Sequence, residues 1–242
     1  MYVDPEELDA VSCYKILIGT IVPRAIGWVS TVSTDGVANL APFSFFTVVS
    51  RKPPMVSLTI QPKSDRVTLK DTLVNIRETG EFVTNLVTLP LADAMHESSK
   101  EHPAEADEFD IAGLQKAACD LVRPPRVALA PASMECRLDR IIPMGDVGDH
   151  VVFGRVVRFH FRDDIYLPGG RVDTIGLQPV GRLAAEYTLT NNIFTSPLEP
   201  AVVAEHSGRR MKRLDSKPED WSQIDDPRWT GAGNALAEVN RS

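Results

Sequence analysis

Polar residues able to bind a ligand fall into three short groups between positions 23 and 88. Ser30 and Thr31 end an apolar run, Asn39 to Ser44 surround a proline, and Lys70-Asp71-Thr72 lies in a segment of helical period. Hydroxyl and amide groups can hydrogen-bond to the edge of a flat ring. A lysine and a threonine near a helix start can bind a phosphate, because a helix N-terminus offers unpaired N–H groups and a partial positive charge. The pattern predicts a site for a flat, phosphorylated ligand, and flavin mononucleotide (FMN) fits that description.

The candidate ring contacts lie on predicted strands. They are Trp28, Ser30, Thr31, Asn39, Ala41, Pro42, Phe43, Ser44 and Phe46. Pro42 cannot donate to a β-ladder, so neighbouring backbone groups must find other partners, and a polar ring edge can provide them. The same residue types also occur as strand-end hydroxyls and core aromatics, so this second interpretation stays open.

The candidate phosphate contacts lie around the predicted helix start. They are Ser64, Arg66, Lys70 and Thr72. Asp71 would repel a phosphate, so we expect it to cap the helix or to pair with a cation. A solvated helix face is the alternative interpretation of this group.

Metal and nucleophile motifs are absent from the sequence. No CxxC pair and no HxH or HxxxH spacing occurs, and no G-x-S-x-G is present, so neither a metal site nor a nucleophile elbow is predicted. Cys13, Cys119 and Cys136 are expected to be free thiols of a reducing compartment. His160 lies within the apolar run RFHF and is expected to be a packed barrel residue.

Composition limits the classes of partner. The 242 residues carry a formal net charge of −7, which argues against nucleic acid and against an anionic membrane surface. The acidic N-terminal segment does not resemble a signal peptide, and no run approaches the roughly 20 apolar residues that span a bilayer. We therefore expect a soluble cytoplasmic protein.

The elements that must position these residues are mainly strands. Apolar and β-branched runs begin at Ala25, and Asp35-Gly36 between two of them predicts a hairpin turn. Helical periodicity covers 65–77 and 90–100. Six or seven strands with short turns and inserted helices predict an antiparallel barrel or sandwich, because strands and helices do not alternate regularly. This domain is expected to span 1–199, and the polar segment 200–242, with Trp221 and Trp229, is expected to be an extended arm or disordered.

Three motifs carry a resemblance to a known family. PRAIGWVST, DGVANLAPFSFF and LKDTLVNIRETGEFVTNLV resemble the flavin reductase-like, FMN-binding split-barrel family, which includes flavoredoxin and the reductase components of two-component monooxygenases. Weaker matches are ASMECRL, GDHVVFGRV and LQPVGRLAAEY, so the similarity runs from Pro23 to Tyr187. Ala25 departs from the family, which usually has proline there.

The resemblance implies a mainly β fold with inserted helices, an FMN-binding split β-barrel of Greek-key antiparallel type. It further implies a homodimer with FMN near the subunit interface, and hydride transfer from NADH or NADPH to the flavin. A monooxygenase or another redox protein would be the partner, and His150 would orient the nicotinamide or the flavin. Two alternatives stay open: an FMN electron carrier similar to flavoredoxin, and a non-catalytic flavin-binding module.

Overall fold

The computed structural model describes residues 2–190, which form a mainly β fold with inserted helices. The strands are β1 (Arg24–Ala25), β2 (Gly27–Val32), β3 (Ala38–Phe43), β4 (Phe46–Arg51), β5 (Pro54–Ile60), β6 (Glu81–Asn85), β7 (Lys116–Ala117), β8 (Arg126–Val127), β9 (Ala132–Met144), β10 (Asp149–Phe161), β11 (Tyr166–Leu167), β12 (Arg171–Val172), β13 (Val180–Arg182) and β14 (Tyr187–Leu189). The helices are α1 (Ala10–Thr20), α2 (Asp71–Thr79), α3 (Ala92–Glu97), α4 (Glu108–Ile111) and α5 (Thr174–Leu177), with 3-10 turns at Pro5–Glu7 and Leu89–Leu91.

The main sheet has seven antiparallel strands in the order β3-β2-β6-β9-β10-β5-β4. Its two outer strands, β3 and β4, are consecutive in sequence and are linked only by Ser44 and Phe45. Because so short a link reaches only about 10 Å, the two edges of the sheet must meet. A hydrogen bond of 2.9 Å from Thr59 N of β5 to Phe45 O holds this link against the barrel. The sheet therefore closes into a barrel whose seam lies at residues 42–45, and Pro42 lies on an edge strand, where its missing N–H breaks no ladder.

Strand β2 supplies side chains to two hydrophobic cores because successive residues point to opposite faces. Val29 belongs to one core with Leu58, Phe82 and residues of α2, while Trp28 belongs to the other with Met95. Both Trp28 and Val29 are fully buried. The second core also holds the helices α3 and α4 against the barrel, and these helices border the candidate site.

The structure confirms several sequence predictions and revises the bounds of others. The segment 90–100 contains α3, but α2 begins at Asp71 and leaves 65–70 as a loop, because the carboxylate of Asp65 caps the backbone N–H groups of Val67 and Thr68 in a turn. A Cβ on Gly154 would lie 2.2 Å from Phe82 Cζ, so the backbone of β10 approaches this buried ring closely.

Other sequence predictions concern cysteines, membranes and the C-terminal segment. All three cysteines are free thiols. Among residues 2–190 there is no helix with the length and hydropathy needed to cross a bilayer. The predicted extension 200–242 lies outside the described residues.

Candidate functional site

The larger of two neighbouring cavities lies at the barrel seam. Its volume is about 300 Å³, within the range of small-ligand sites. Its lining combines aromatic, hydroxyl, amide and cationic side chains and consists of Tyr14, Arg24, Ile26, Pro42, Phe43, Ser44, Phe45, Thr59, Gln61, Lys70, Met95, His96, Ser99, Arg182, Ala184 and Tyr187. The seam leaves this space open because β3 ends before β4 begins, and the link between them forms one wall.

A smaller cavity of about 30 Å³ lies at the N-terminus of α2. Its lining is mostly charged and polar and consists of Asn39, Ala41, Lys63, Lys70, Asp71, Thr72, Ser98, Ser99, Lys100, Glu101, His102 and Glu108. Lys70 and Ser99 line both cavities. The two spaces are therefore adjacent, one with aromatic walls and one with several cations.

Lys70 is the cation best placed to bind an anionic ligand. No hydrogen bond or ion pair within residues 2–190 engages its ammonium group. Lys63, by contrast, pairs with Asp71 at 2.9 Å, as expected for that carboxylate. Lys70 is also the N-cap residue of α2, which has no side-chain capping bond. The first-turn N–H groups of α2 and the Lys70 ammonium are the groups here that could hold an anion, in a lining that also contains Asp71, Glu101 and Glu108.

Arg24 fixes one wall of the larger cavity. Only 8% of this residue is exposed. Its Nη1 donates to the carbonyls of Ile18 at 2.6 Å and Ile21 at 3.1 Å, at the end of α1, and its Nε donates to Ser44 Oγ at 3.3 Å. The guanidinium thus joins α1 to the barrel seam, and Tyr14 of α1 contacts Phe45 with ring centroids 6.2 Å apart.

A buried polar network supports the smaller cavity from below. Thr72 Oγ1 donates to Asn39 Oδ1 at 2.7 Å, and Thr31 Oγ1 donates to the same oxygen at 3.2 Å. The Asn39 amide donates to both carboxylate oxygens of Glu108 at 3.1 Å. Burial raises the pKa of the Glu108 carboxyl, while the bonds from Leu40 N and Asn39 act in the opposite direction. The network connects β3, α2 and α4, which contribute Asn39, Thr72 and Glu108 to the lining of this cavity.

The structure brings together some of the sequence-predicted residues. Those that line a cavity are Asn39, Ala41, Pro42, Phe43, Ser44, Lys70 and Thr72. Asn39 and Thr72 are each less than a tenth exposed and bond to each other, so they contribute through the network as well as at the cavity surface.

Three predicted contacts on β2 lie outside the lining of both cavities. Trp28, Ser30 and Thr31 are all fully buried. Trp28 Nε1 donates to Ser98 Oγ at 2.9 Å, and Ser30 Oγ donates to the carbonyl of Pro125. Hydrophobic cores cover both faces of β2, one containing Val29 and the other Trp28, so these side chains are held inside the fold. Trp28 and Thr31 thus bond to Ser98 and Asn39, which line the smaller cavity, whereas Ser30 bonds to a residue outside both linings.

Phe46, Ser64 and Arg66 also lie outside the lining. The Phe46 ring packs over Gly27, where a Cβ would lie 2.7 Å from the ring. Ser64 donates from both N and Oγ to Glu101 at 2.7 Å, so its hydroxyl is already paired. Arg66 is exposed in a left-handed conformation, with φ of 61°. The later start of α2 removes Ser64 and Arg66 from its N-terminus.

His150 lies in β10 opposite Ile60, and it lines neither cavity within residues 2–190. Its Nδ1 lies 2.8 Å from the Gly148 carbonyl. Sequence reasoning did not select His96, which lines the larger cavity together with Thr59 and Gln61. The sequence pattern could have identified them, because Thr59 and Gln61 are two residues apart at the end of a strand and so share a face, and His96 lies in the predicted second helix.

Comparisons with known proteins show the family of this chain. Residues 19–174 match the model of the flavin reductase like domain. An uncharacterised protein of Aquifex aeolicus is 40% identical over 182 residues, which is 75% of this chain and 91% of the relative.

Two solved structures extend the comparison to the fold. The structure of nitrilotriacetate monooxygenase component B from Bacillus cereus is similar with a TM-score of 0.77 and 34% identity, covering 81% of this chain and 98% of that one. That of a putative flavin reductase with split barrel domain from Shewanella frigidimarina has a TM-score of 0.71 at 19% identity, covering 82% and 100%. The fold is thus the split barrel predicted from the sequence, and the chain belongs to the flavin reductase-like family.

Proposed function

We propose that this protein is an FMN-binding oxidoreductase that transfers hydride from NADH or NADPH to flavin. The single observation that carries the proposal is the position of Lys70. Its unpaired ammonium lies between an aromatic cavity and the uncapped N-terminus of α2. A ring with a phosphate tail matches both spaces at once, because the ring needs flat apolar walls and the phosphate needs cations and free N–H groups.

The lining residues fit the two parts of such a ligand. In the larger cavity, Phe43 and Phe45 offer apolar surface, while Ser44, Thr59 and Gln61 offer hydrogen bonds to a polar ring edge. In the smaller cavity, Lys63 and Lys70 would hold a phosphate together with the first turn of α2. The family supports a flavin as the cofactor, and the single compact phosphate subsite favours FMN.

The flavin supplies the hydride acceptor when bound, and the chain supplies orientation and exclusion of water. The link between β3 and β4 forms one wall of the cavity, Arg24 fixes α1 beside it, and Tyr14 of α1 packs against Phe45 in that link. Hydride transfer needs donor and acceptor carbons in near contact, so rigid walls matter more than an acid or base. No side chain needs to move a proton for this step.

An absorption spectrum tests the proposal directly. We expect the purified protein to be yellow, or to become so with FMN, and to bleach under NADH or NADPH. Protein that is folded but acquires no flavin absorbance would disprove the proposed function.

The flavoredoxin-like alternative differs in rate rather than in site. Steady-state oxidation of NADH or NADPH with added free flavin separates the two. Fast turnover identifies a reductase, whereas slow turnover with tightly held FMN identifies an electron carrier. A non-catalytic flavin-binding module would retain flavin and show no bleaching with either nucleotide.

A homodimer is part of the same proposal. Helix α1 has no buried residue in the single chain, and Ile16 and Leu17 are each about half exposed, while Val48 on the edge strand β4 is 72% exposed. Apolar surface of this kind is typical of an interface. Because Tyr14 of α1 lines the cavity, a second copy that covers α1 would lie near the flavin. Light scattering of the purified protein tests the dimer.

A monooxygenase is a candidate acceptor of the reduced flavin, on the strength of the similarity to nitrilotriacetate monooxygenase component B. Reduced flavin delivered to such a partner would be measured as product formed only when both proteins are present. The cytoplasmic location stays a prediction from the sequence.

A further inference from the structure

Cys119, Glu135 and His160 form a cluster of donor atoms away from the flavin cavities. One donor atom from each lies within 4.8 Å of the others. Glu135 in β9 and His160 in β10 lie on one face of the sheet, because His160 pairs with Ser133, two residues from Glu135. Cys119 follows β7. None of the three lines either cavity, so the cluster is not explained by the proposed function.

Backbone hydrogen bonds fix the geometry of this cluster. Glu135 is fully buried, and its carboxylate accepts from Asp120 N at 2.9 Å, Leu121 N at 2.6 Å and Val122 N at 3.1 Å. These amides belong to the residues directly after Cys119, so Cys119 is held beside the carboxylate. His160 Nε2 lies 2.6 Å from Glu135 Oε1. Interactions that orient a ligand side chain in this way raise metal affinity.

The donor set has a chemical preference. Sulfur from cysteine, nitrogen from histidine and oxygen from a carboxylate are the ligands of Zn²⁺, which accepts three protein ligands and a water. We propose that Cys119 Sγ, Glu135 Oε1 and His160 Nε2 form a binding site for a thiophilic divalent cation, with Zn²⁺ as the best match. Cys119 and His160 are only partly buried, which gives an ion a path of entry.

Binding requires one local change. The Glu135 Oε1 to His160 Nε2 separation must widen from 2.6 Å to about 3.4 Å, the distance between two ligands of a tetrahedral zinc ion. The ion then replaces their hydrogen bond, while the backbone amides keep the carboxylate in place. The site joins the segment after β7 to β9 and β10, so the ion acts as a structural clip.

A nucleophilic role for Cys119 is less compatible with the structure. Burial, followed by the nearby charge of Glu135, raises the pKa of the Cys119 thiol to about 12. A reactive cysteine needs a lowered pKa. The raised pKa therefore argues against a nucleophilic role for this thiol.

Zinc binding to the metal-stripped, flavin-free full chain tests the proposal. We expect one Zn²⁺ per chain by calorimetry, a raised melting temperature, and a thiolate-to-metal charge-transfer band when Co²⁺ replaces Zn²⁺. Cys119→Ser and His160→Gln should each weaken binding at least about tenfold, and Cys119→Ser should abolish the band. Cys13→Ser is the matched control and should change nothing.

Three results would each contradict the proposed metal site. Absence of zinc binding in the folded protein, binding that persists unchanged in Cys119→Ser, or a cobalt complex without the sulfur band would each disprove it. Glu135→Gln is not used, because loss of the carboxylate that holds three amides can prevent folding. Since the readouts need no flavin, failure here leaves the proposed function intact, and the reverse also holds.

Discussion

The amide of Asn39 donates to both carboxylate oxygens of Glu108, each at 3.1 Å, in the buried network beneath the smaller cavity. The amide is thereby oriented, and its oxygen accepts from Thr72 at 2.7 Å. This pair determines how α4 and the start of α2 lie against β3.

The Asn39–Glu108 pair predicts the effect of a charge change. Asn39→Asp places two carboxylates in contact in a buried site, so we expect the free energy of unfolding in urea to fall by about 3–5 kcal/mol. Adding Glu108→Gln restores a donor between the two oxygens and should recover most of the loss. A single variant as stable as the wild type, or a double variant less stable than the single, would contradict the pairing.

Lys70 is predicted to contribute strongly to flavin affinity. Lys70→Ala removes the unpaired ammonium that lies between the two cavities, and the loss of a charge-assisted hydrogen bond corresponds to about a 10- to 100-fold rise in the FMN dissociation constant. Fluorescence quenching of FMN measures it. Arg77→Ala, at the other end of α2, is the matched control, because Arg77 is exposed and lines neither cavity. Equal effects of the two substitutions would show that general charge, not position, governs binding.

His96 and His150 are predicted to differ in their effect on flavin binding and reduction. His96 lines the larger cavity and His150 does not, so His96→Gln should weaken FMN binding or slow its reduction by roughly fivefold, the effect of one hydrogen bond. His150→Gln should leave both quantities close to wild type. Stopped-flow reduction with NADH and NADPH provides the comparison. The opposite result would support the role that the sequence suggested for His150.

Gly154 has no room for a side chain. A Cβ there would lie 2.2 Å from Phe82 Cζ, and Phe82 is fully buried, so Gly154→Ala should lower the free energy of unfolding by about 1–3 kcal/mol. Gly19→Ala in α1 is the control, because a Cβ there meets nothing within 4 Å. This substitution should stabilise the helix by roughly 0.5–1 kcal/mol. Phe82→Leu combined with Gly154→Ala should lose less than the two single substitutions summed. Thermal melting of all four variants decides the matter.

Asp65 should control the loop before α2 at acid pH. The hydroxyl of Thr68, and then the backbone N–H groups of Val67 and Thr68, lower the pKa of Asp65 from 3.8 to about 2. Because the folded pKa lies below the unfolded value, the stabilisation is present above about pH 4 and is lost as the pH falls toward 2. An NMR titration of the carboxyl measures the pKa. In Thr68→Val the pKa should move toward 3.8, and an unchanged value would contradict the assignment.

Much of the barrel could be predicted from residue patterns. The Asp35-Gly36 turn, the helix within 90–100 and the mainly β character are local features, which residue patterns report well. The inability of Pro42 to donate to a β-ladder also agrees with its place on the edge strand β3.

The features that could not be predicted depend on contacts between residues far apart in the sequence, which local spacing does not encode. Ser30 and Thr31 resemble ligand contacts, but other parts of the fold pack on both faces of β2 and bury them. Ser64 finds a partner 37 residues away in Glu101. The cluster of Cys119, Glu135 and His160 likewise comes from separate segments, so no short sequence motif predicts it.

The lysine at the start of α2 has a consequence for the helix itself. Lysine is a poor residue at that position, where Ser, Thr, Asp or Asn would satisfy the first amides. The first amides of α2 therefore lack a side-chain acceptor from the N-cap residue, and a bound anion would supply one. Anion binding there and order in the first turn of α2 are then thermodynamically linked, so hydrogen exchange at the amides of Asp71 and Thr72 should slow when the site is occupied.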